Sequence, residues 1–94
     1  MSKEIRLYYR QHAIKRMYER SISEEEVEKA LEKSVVIDNY PDDQPFPSTL
    51  VLGYAASKAI HIVYADDIES ATRIIITVYE PDPAIWQVDL KKRR

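Results

Sequence analysis

The hydrophobic positions change period once along the chain, close to Ser34. Ahead of that point Ala13, Ile14, Met17 and Tyr18 recur at helical spacing, with His12, Lys15, Arg16 and Glu19 on the other side, so Gln11–Arg20 predicts an amphipathic helix. Ser23 followed by Glu26 forms a capping box, and Ile22 with Val27 forms a hydrophobic staple; together they set the start of a second helix with Val27, Ala30 and Leu31 as its buried stripe. Glu24, Glu25 and Glu26 suit the positive N-terminal end of that helix and Lys29 and Lys33 its C-terminal half, which is a sufficient structural reading of the acidic run. Residues 5–9 read as a short strand or as the lead-in to the first helix.

Beyond Ser34, β-branched and aromatic residues take over, and Val35–Tyr40, 49–55, 59–65 and 72–80 read as strands. Residues 41–48 hold three prolines and two aspartates and form an exposed connection. The turns at 56–58 and 66–71 are too short for a parallel crossover, so antiparallel hairpins are expected. Ile74, Ile75 and Ile76 make both faces of their strand apolar, which places it centrally. Alternation puts Arg73, Ile75, Thr77 and Tyr79 on one side of it and gives His61 a side with Ala59, Val63 and Ala65. Pro81 and Pro83 end the strand; residues 84–90 read as an edge strand or a short helix, and 91–94 as a basic tail. The fold class is thus α+β: two N-terminal helices packed on an antiparallel sheet of about four strands, as a single domain over residues 1–94.

Composition narrows the setting. The 94 residues suit one core, and 45% hydrophobic with 32% charged residues is globular rather than disordered composition. The absence of cysteine excludes disulfides, a thiolate nucleophile and a Cys-ligated metal. The start Met-Ser-Lys-Glu-Ile-Arg has no apolar signal core, and no apolar run approaches the ~18 residues of a membrane span. A cytoplasmic protein without membrane contact is expected, folding alone or as a small oligomer such as a homodimer.

Net charge is −2, but residues 1–20 carry six basic and two acidic side chains, residues 21–70 three and eleven, and residues 71–94 five and three. Such asymmetry can create a positive field on an acidic protein, as binding of a phosphate backbone requires; a solvated helix face with a basic tail is the plainer reading. His12, Arg16 and Arg20 form one stripe of the first helix. If His61 and the Arg73–Thr77–Tyr79 row face one way, the sheet offers imidazole, guanidinium, hydroxyl and phenol together. That set suits RNA cleavage, in which a base takes the 2′-hydroxyl proton, cations stabilise the phosphorane and an acid protonates the leaving oxygen. It calls for no metal or cofactor. Each residue also has a structural reading: His61 as a hydrogen-bonded half-buried residue, Arg73 as the partner of an acid, Glu19 as that of Lys15, and Tyr79 and Trp86 as packing residues.

His12-Ala13, Arg16-Met17, Glu19-Arg20, Ile22-Ser23, Val27 and Ala30-Leu31 resemble the opening pattern of the family called domain of unknown function 4258. Tyr40-Pro41, Pro47-Ser48, Leu52-Gly53, His61-Ile62-Val63 and Thr77-Val78-Tyr79-Glu80-Pro81-Asp82 with Trp86 resemble its sheet half. Ser21 stands where that pattern leads one to expect glycine. The family looks like a distant relative of RelE-like toxins, which implies a metal-independent endoribonuclease with an antitoxin partner. On that implication His12, His61, Arg16 and Tyr79 are the catalytic candidates, and Arg20, Arg73 and Thr77 would hold RNA. The acidic pI of about 5.7 departs from the basic habit of ribosome-dependent toxins. The alternative is a non-catalytic protein- or nucleic-acid-binding module of the same fold.

Overall fold

The computed structural model describes residues 5–94; the Met1–Glu4 start, read above for its lack of a signal core, lies outside the described residues. The element order is β1 (Arg6–Tyr9), α1 (Gln11–Arg20), α2 (Glu24–Glu32), β2 (Val35–Tyr40), β3 (Ser48–Ala55), β4 (Lys58–Asp67) and β5 (Thr72–Tyr79). The strands form one sheet in the order β1-β5-β4-β3-β2.

The α+β class and the two helices agree with the sequence pattern, but the sheet is five-stranded and mixed. Residues 6–9 form β1, which pairs parallel with β5, Leu7 opposite Arg73 and Tyr9 opposite Ile75. The crossover rule is respected, because both helices and three strands separate β1 from β5. The remaining pairs are antiparallel. β5 is an inner strand, while β4 holds the middle position.

The capping box forms as expected: Ser23 Oγ accepts the Glu26 N–H at 3.1 Å and Glu26 Oε1 accepts the Ser23 N–H at 2.9 Å. Glu26 also meets Lys58 at 2.9 Å. The backbone hydrogen bond from Ser23, followed by Lys58, holds the Glu26 carboxyl below its usual range. Between the helices Ser21 adopts φ 56°, in the left-handed region, its N–H bonding the Tyr18 carbonyl while Ile22 N–H bonds that of Met17. This is a Schellman stop, and Met17 and Ile22 are both buried in the core.

Both helices cover one face of the sheet. Ala13 and Met17 of α1, Ile22, and Val27 and Ala30 of α2 pack on Val51, Ala55, Ile60, Ile62, Ile75 and Val78. Gly53 permits this contact: a Cβ there would lie 2.6 Å from the Ala30 carbonyl carbon and closer still to its oxygen. No helix among the described residues is long and apolar enough to cross a membrane.

Residues 84–90 form neither strand nor helix. They belong to an irregular strap, pinned by a bridge between Trp86 and Arg93, that returns across the other face of the sheet. The basic tail is part of this strap, with Arg94 Nε donating to the Pro83 carbonyl at 2.7 Å. Prolines at 81 and 83 remove the donors that a continuing ladder needs.

Candidate functional site

The expected row Arg73–Ile75–Thr77–Tyr79 does not form, because β5 is bulged. Val63 pairs with Thr77 and Tyr64 with Ile75, leaving Ile76 without a partner across the ladder. A bulge residue reverses the alternation, so Arg73 and Ile75 face the helices while Thr77 and Tyr79 face the strap. The three consecutive isoleucines therefore include the extra residue.

On the strap side His61 lies opposite Tyr79 and is fully buried. Its Nε2 is 2.8 Å from the Leu90 carbonyl and its Nδ1 is 3.2 Å from the Tyr79 hydroxyl. A carbonyl only accepts, so Nε2 carries the proton, and the neutral ring accepts the Tyr79 O–H at Nδ1. Burial lowers the His61 pKa and Arg93 adds to this, against the Leu90 hydrogen bond. Burial raises the Tyr79 phenol, helped by Tyr40 and opposed by Arg93. Trp86 meets the imidazole edge-on at 4.5 Å, and the Arg93 guanidinium lies 5.1 Å from the Trp86 ring centre. Leu90 holds a left-handed φ of 60° to present its carbonyl, a conformation costly for a bulky side chain.

Arg73 is on the helix side. Its Nε and Nη2 donate to the two oxygens of Asp66 at 2.8 and 3.0 Å, and its guanidinium lies 4.0 Å from the Tyr64 ring centre. This forked pair raises the Arg73 pKa, its burial opposing. A phosphate there would have to displace Asp66.

His12, Arg16 and Arg20 are exposed on α1, each about 6 Å along the helix from the next. They form one flank; Ile14 and Tyr18 form the opposite one, 54% and 87% exposed. The ion pairs of the described residues, Lys58–Glu26 and Arg73–Asp66, include none of this basic flank.

The fold thus gathers His61, Thr77 and Tyr79, and keeps His12, Arg16 and Arg20 on the far side of the sheet, with Arg73 engaged elsewhere. His12 and His61 do not share a cleft. Trp86, Leu90 and Arg93 complete the His61 cluster. From the sequence Trp86 reads as a packing residue rather than a base-stacking platform, and Arg93 is hidden in a run of like charges. Leu90 acts through its backbone, which leaves no trace in residue type. Among the described residues no three His, Asp or Glu side chains are grouped to hold a metal ion.

His61, Thr77 and Tyr79 lie on this face of the sheet, while His12 and Arg16 lie on α1. No curated protein and no solved structure is significantly similar to the chain. The family model described as domain of unknown function (DUF4258) matches residues 9–80, most of the 94, and the chain belongs to that family.

Proposed function

We propose that the protein is an RNA-binding module that holds the phosphate backbone on the basic flank of α1. The observation that carries this reading is the exposed row His12, Arg16 and Arg20, which no acidic side chain of the described residues neutralises by an ion pair. Arginine forks fit phosphate oxygens, and a local basic row steers an anion even when net charge is −2. RNA, rather than another polyanion, is the ligand class implied by the RelE-like resemblance. A sealed His61 with both ring nitrogens engaged fits binding without turnover.

A second reading is the metal-independent endoribonuclease, as the toxin of a toxin–antitoxin pair, and the His61–Tyr79 contact favours it. A proton acceptor and a proton donor already in contact, with Arg93 close by, are the parts for 2′-hydroxyl attack on phosphate. Here the strap must first withdraw the Leu90 carbonyl from His61 to admit RNA.

Titration of a fluorescent single-stranded RNA at about 50 and 200 mM salt, in chelator, separates the two. Binding should weaken steeply with salt, and Arg16→Ala with Arg20→Ala should lower the log–log salt slope by about 1.4 for two lost phosphate contacts. An unchanged slope removes α1 as the binding surface. RNA turnover that falls about 100-fold in Tyr79→Phe would replace binding with catalysis on the strap face.

A further inference from the structure

A groove on the helix side follows β1, one of the two edge strands of the sheet. Ile5, Leu7, Tyr9 and Leu31 line it with Glu24, Glu28 and Glu32 of α2 around an open space of about 470 Å³; Arg73 also lines it, but its guanidinium is forked on Asp66, so the three glutamates set the charge. It continues past Tyr9 and Glu24 towards Ile14 and Tyr18 of α1. Burial, then Glu24 and Glu28, push the Tyr9 phenol up to about 12, and its hydroxyl has no hydrogen-bond partner in the described structure.

The strand beneath this groove has one side unused. Arg6 N–H bonds the Ala71 carbonyl and Arg10 N–H that of Ile75, both towards β5, so alternation turns the Leu7 and Tyr9 N–H and C=O groups outward. Among the described residues nothing pairs with that edge. The opposite edge, β2, is blunted by an irregularity between Val36 and Asp38, a feature that discourages edge pairing.

Charge selects what the β1 edge can take. On the helix side Glu24, Glu28 and Glu32 recur every four residues, about 6 Å, close to the ~6.7 Å between alternate residues of a strand. On the other side Arg6 and Tyr8, the latter 60% exposed, point away from the helices. A second copy docked antiparallel, edge to edge, would bring its own Glu24, Glu28 and Glu32 to the same side of the joined sheet and supply no free cation to these glutamates, so self-pairing is opposed.

We propose that the outer edge of β1 receives an extended segment of another protein as a sixth strand, its basic side chains set against Glu24, Glu28 and Glu32. An acidic or apolar residue of that segment faces Arg6 and Tyr8. Backbone hydrogen bonds from Leu7 and Tyr9 supply affinity, and the glutamate row supplies specificity. This surface is on the opposite flank of α1 from His12, Arg16 and Arg20, so the inference stands apart from the RNA reading.

The probe is a capped peptide alternating lysine with valine, compared with one alternating glutamate with valine, added to the full chain. The lysine peptide should slow deuterium exchange at the Leu7 and Tyr9 amides. Replacement of Glu24, Glu28 and Glu32 by Gln should weaken its binding about tenfold, the middle of the range for three exposed charge pairs together. Asp42→Asn with Asp43→Asn, in the loop before β3, should leave it unchanged. Equal binding of the two peptides, undiminished binding by the glutamine variant, or unprotected β1 amides would overturn the proposal. So would protection of Leu7 and Tyr9 that grows with protein concentration alone, which would make a second copy the occupant.

Discussion

The two faces of the sheet are closed by different means. On one, α1 and α2 lay periodic apolar residues over Ile60, Ile62, Ile75 and Val78; on the other, an irregular strap is tied to the sheet at His61. The first closure rests on shape and buried area, the second on directional hydrogen bonds and a protonation state. Helices tolerate exchange of one apolar side chain for another of similar volume, whereas no aliphatic residue reproduces the bonds of His61 to both Leu90 and Tyr79. The helix face should therefore fail by steric insult and the strap face by chemistry.

The largest effect is expected from Gly53→Ala. The added methyl group would overlap the Ala30 carbonyl, which is backbone within α2 and cannot rotate away. The whole helix must lift from β3, and the cost should reach or pass the upper end of overpacking penalties, about 3 kcal/mol. Urea unfolding gives the number directly. A loss below about 1 kcal/mol would show that α2 rides free of the sheet, and the contrast between the faces would fail with it.

A smaller, pH-dependent loss should distinguish the strap. Burial lowers the His61 pKa, so the folded ring resists the proton that an unfolded ring accepts near 6.5. Its stabilising contribution is full above about pH 6.5 and declines as pH falls through the lowered folded value. Between about pH 8 and 5 most carboxylates remain ionised, which isolates the histidine contribution. The urea midpoint, followed by emission of Trp86, the single tryptophan, should be lower at the acidic end, and His61→Gln should flatten the difference. A His61→Gln variant with the same acid loss would assign that loss elsewhere.

The same contrast sets how much of the fold is legible in the sequence. The helices announce themselves because amphipathic period and a reciprocal cap are local signals, and Gln11–Arg20 has the bounds its pattern predicts. β1 was ambiguous because four residues carry little period and its partner, Thr72 opposite Arg6, lies far along the chain. The bulge at Ile76 was invisible, since three isoleucines fit a doubly buried strand equally well. At the site, the apolar strand suggests a half-buried, hydrogen-bonded His61, whereas the ring is fully buried, and its bond to the Leu90 carbonyl has no residue-type signature. Glu24, Glu28 and Glu32 recur at helical spacing, but of these the helix dipole accounts only for Glu24, and the spacing by itself names no ligand. Only the groove beside β1 gives the row a second meaning.

The smallest effect tests the hinge of the helix face. Ser21 holds φ 56° at the end of α1, where its N–H and that of Ile22 close the last turn. Outside glycine this conformation costs roughly 1 kcal/mol, and the Ser21 side chain is exposed and makes no hydrogen bond among the described residues. Glycine removes the Cβ conflict but gains freedom in the unfolded chain, so Ser21→Gly should raise stability by only about 0.5 kcal/mol. The gain should appear equally at pH 8 and pH 5, because the titrating tie beside the turn, Glu26 with Lys58, has its carboxyl held below the usual range and stays charged at both. A gain confined to one pH would mean that the two faces do not act independently: the hinge between α1 and α2 would be sensing the protonation of a ring on the other side of the sheet.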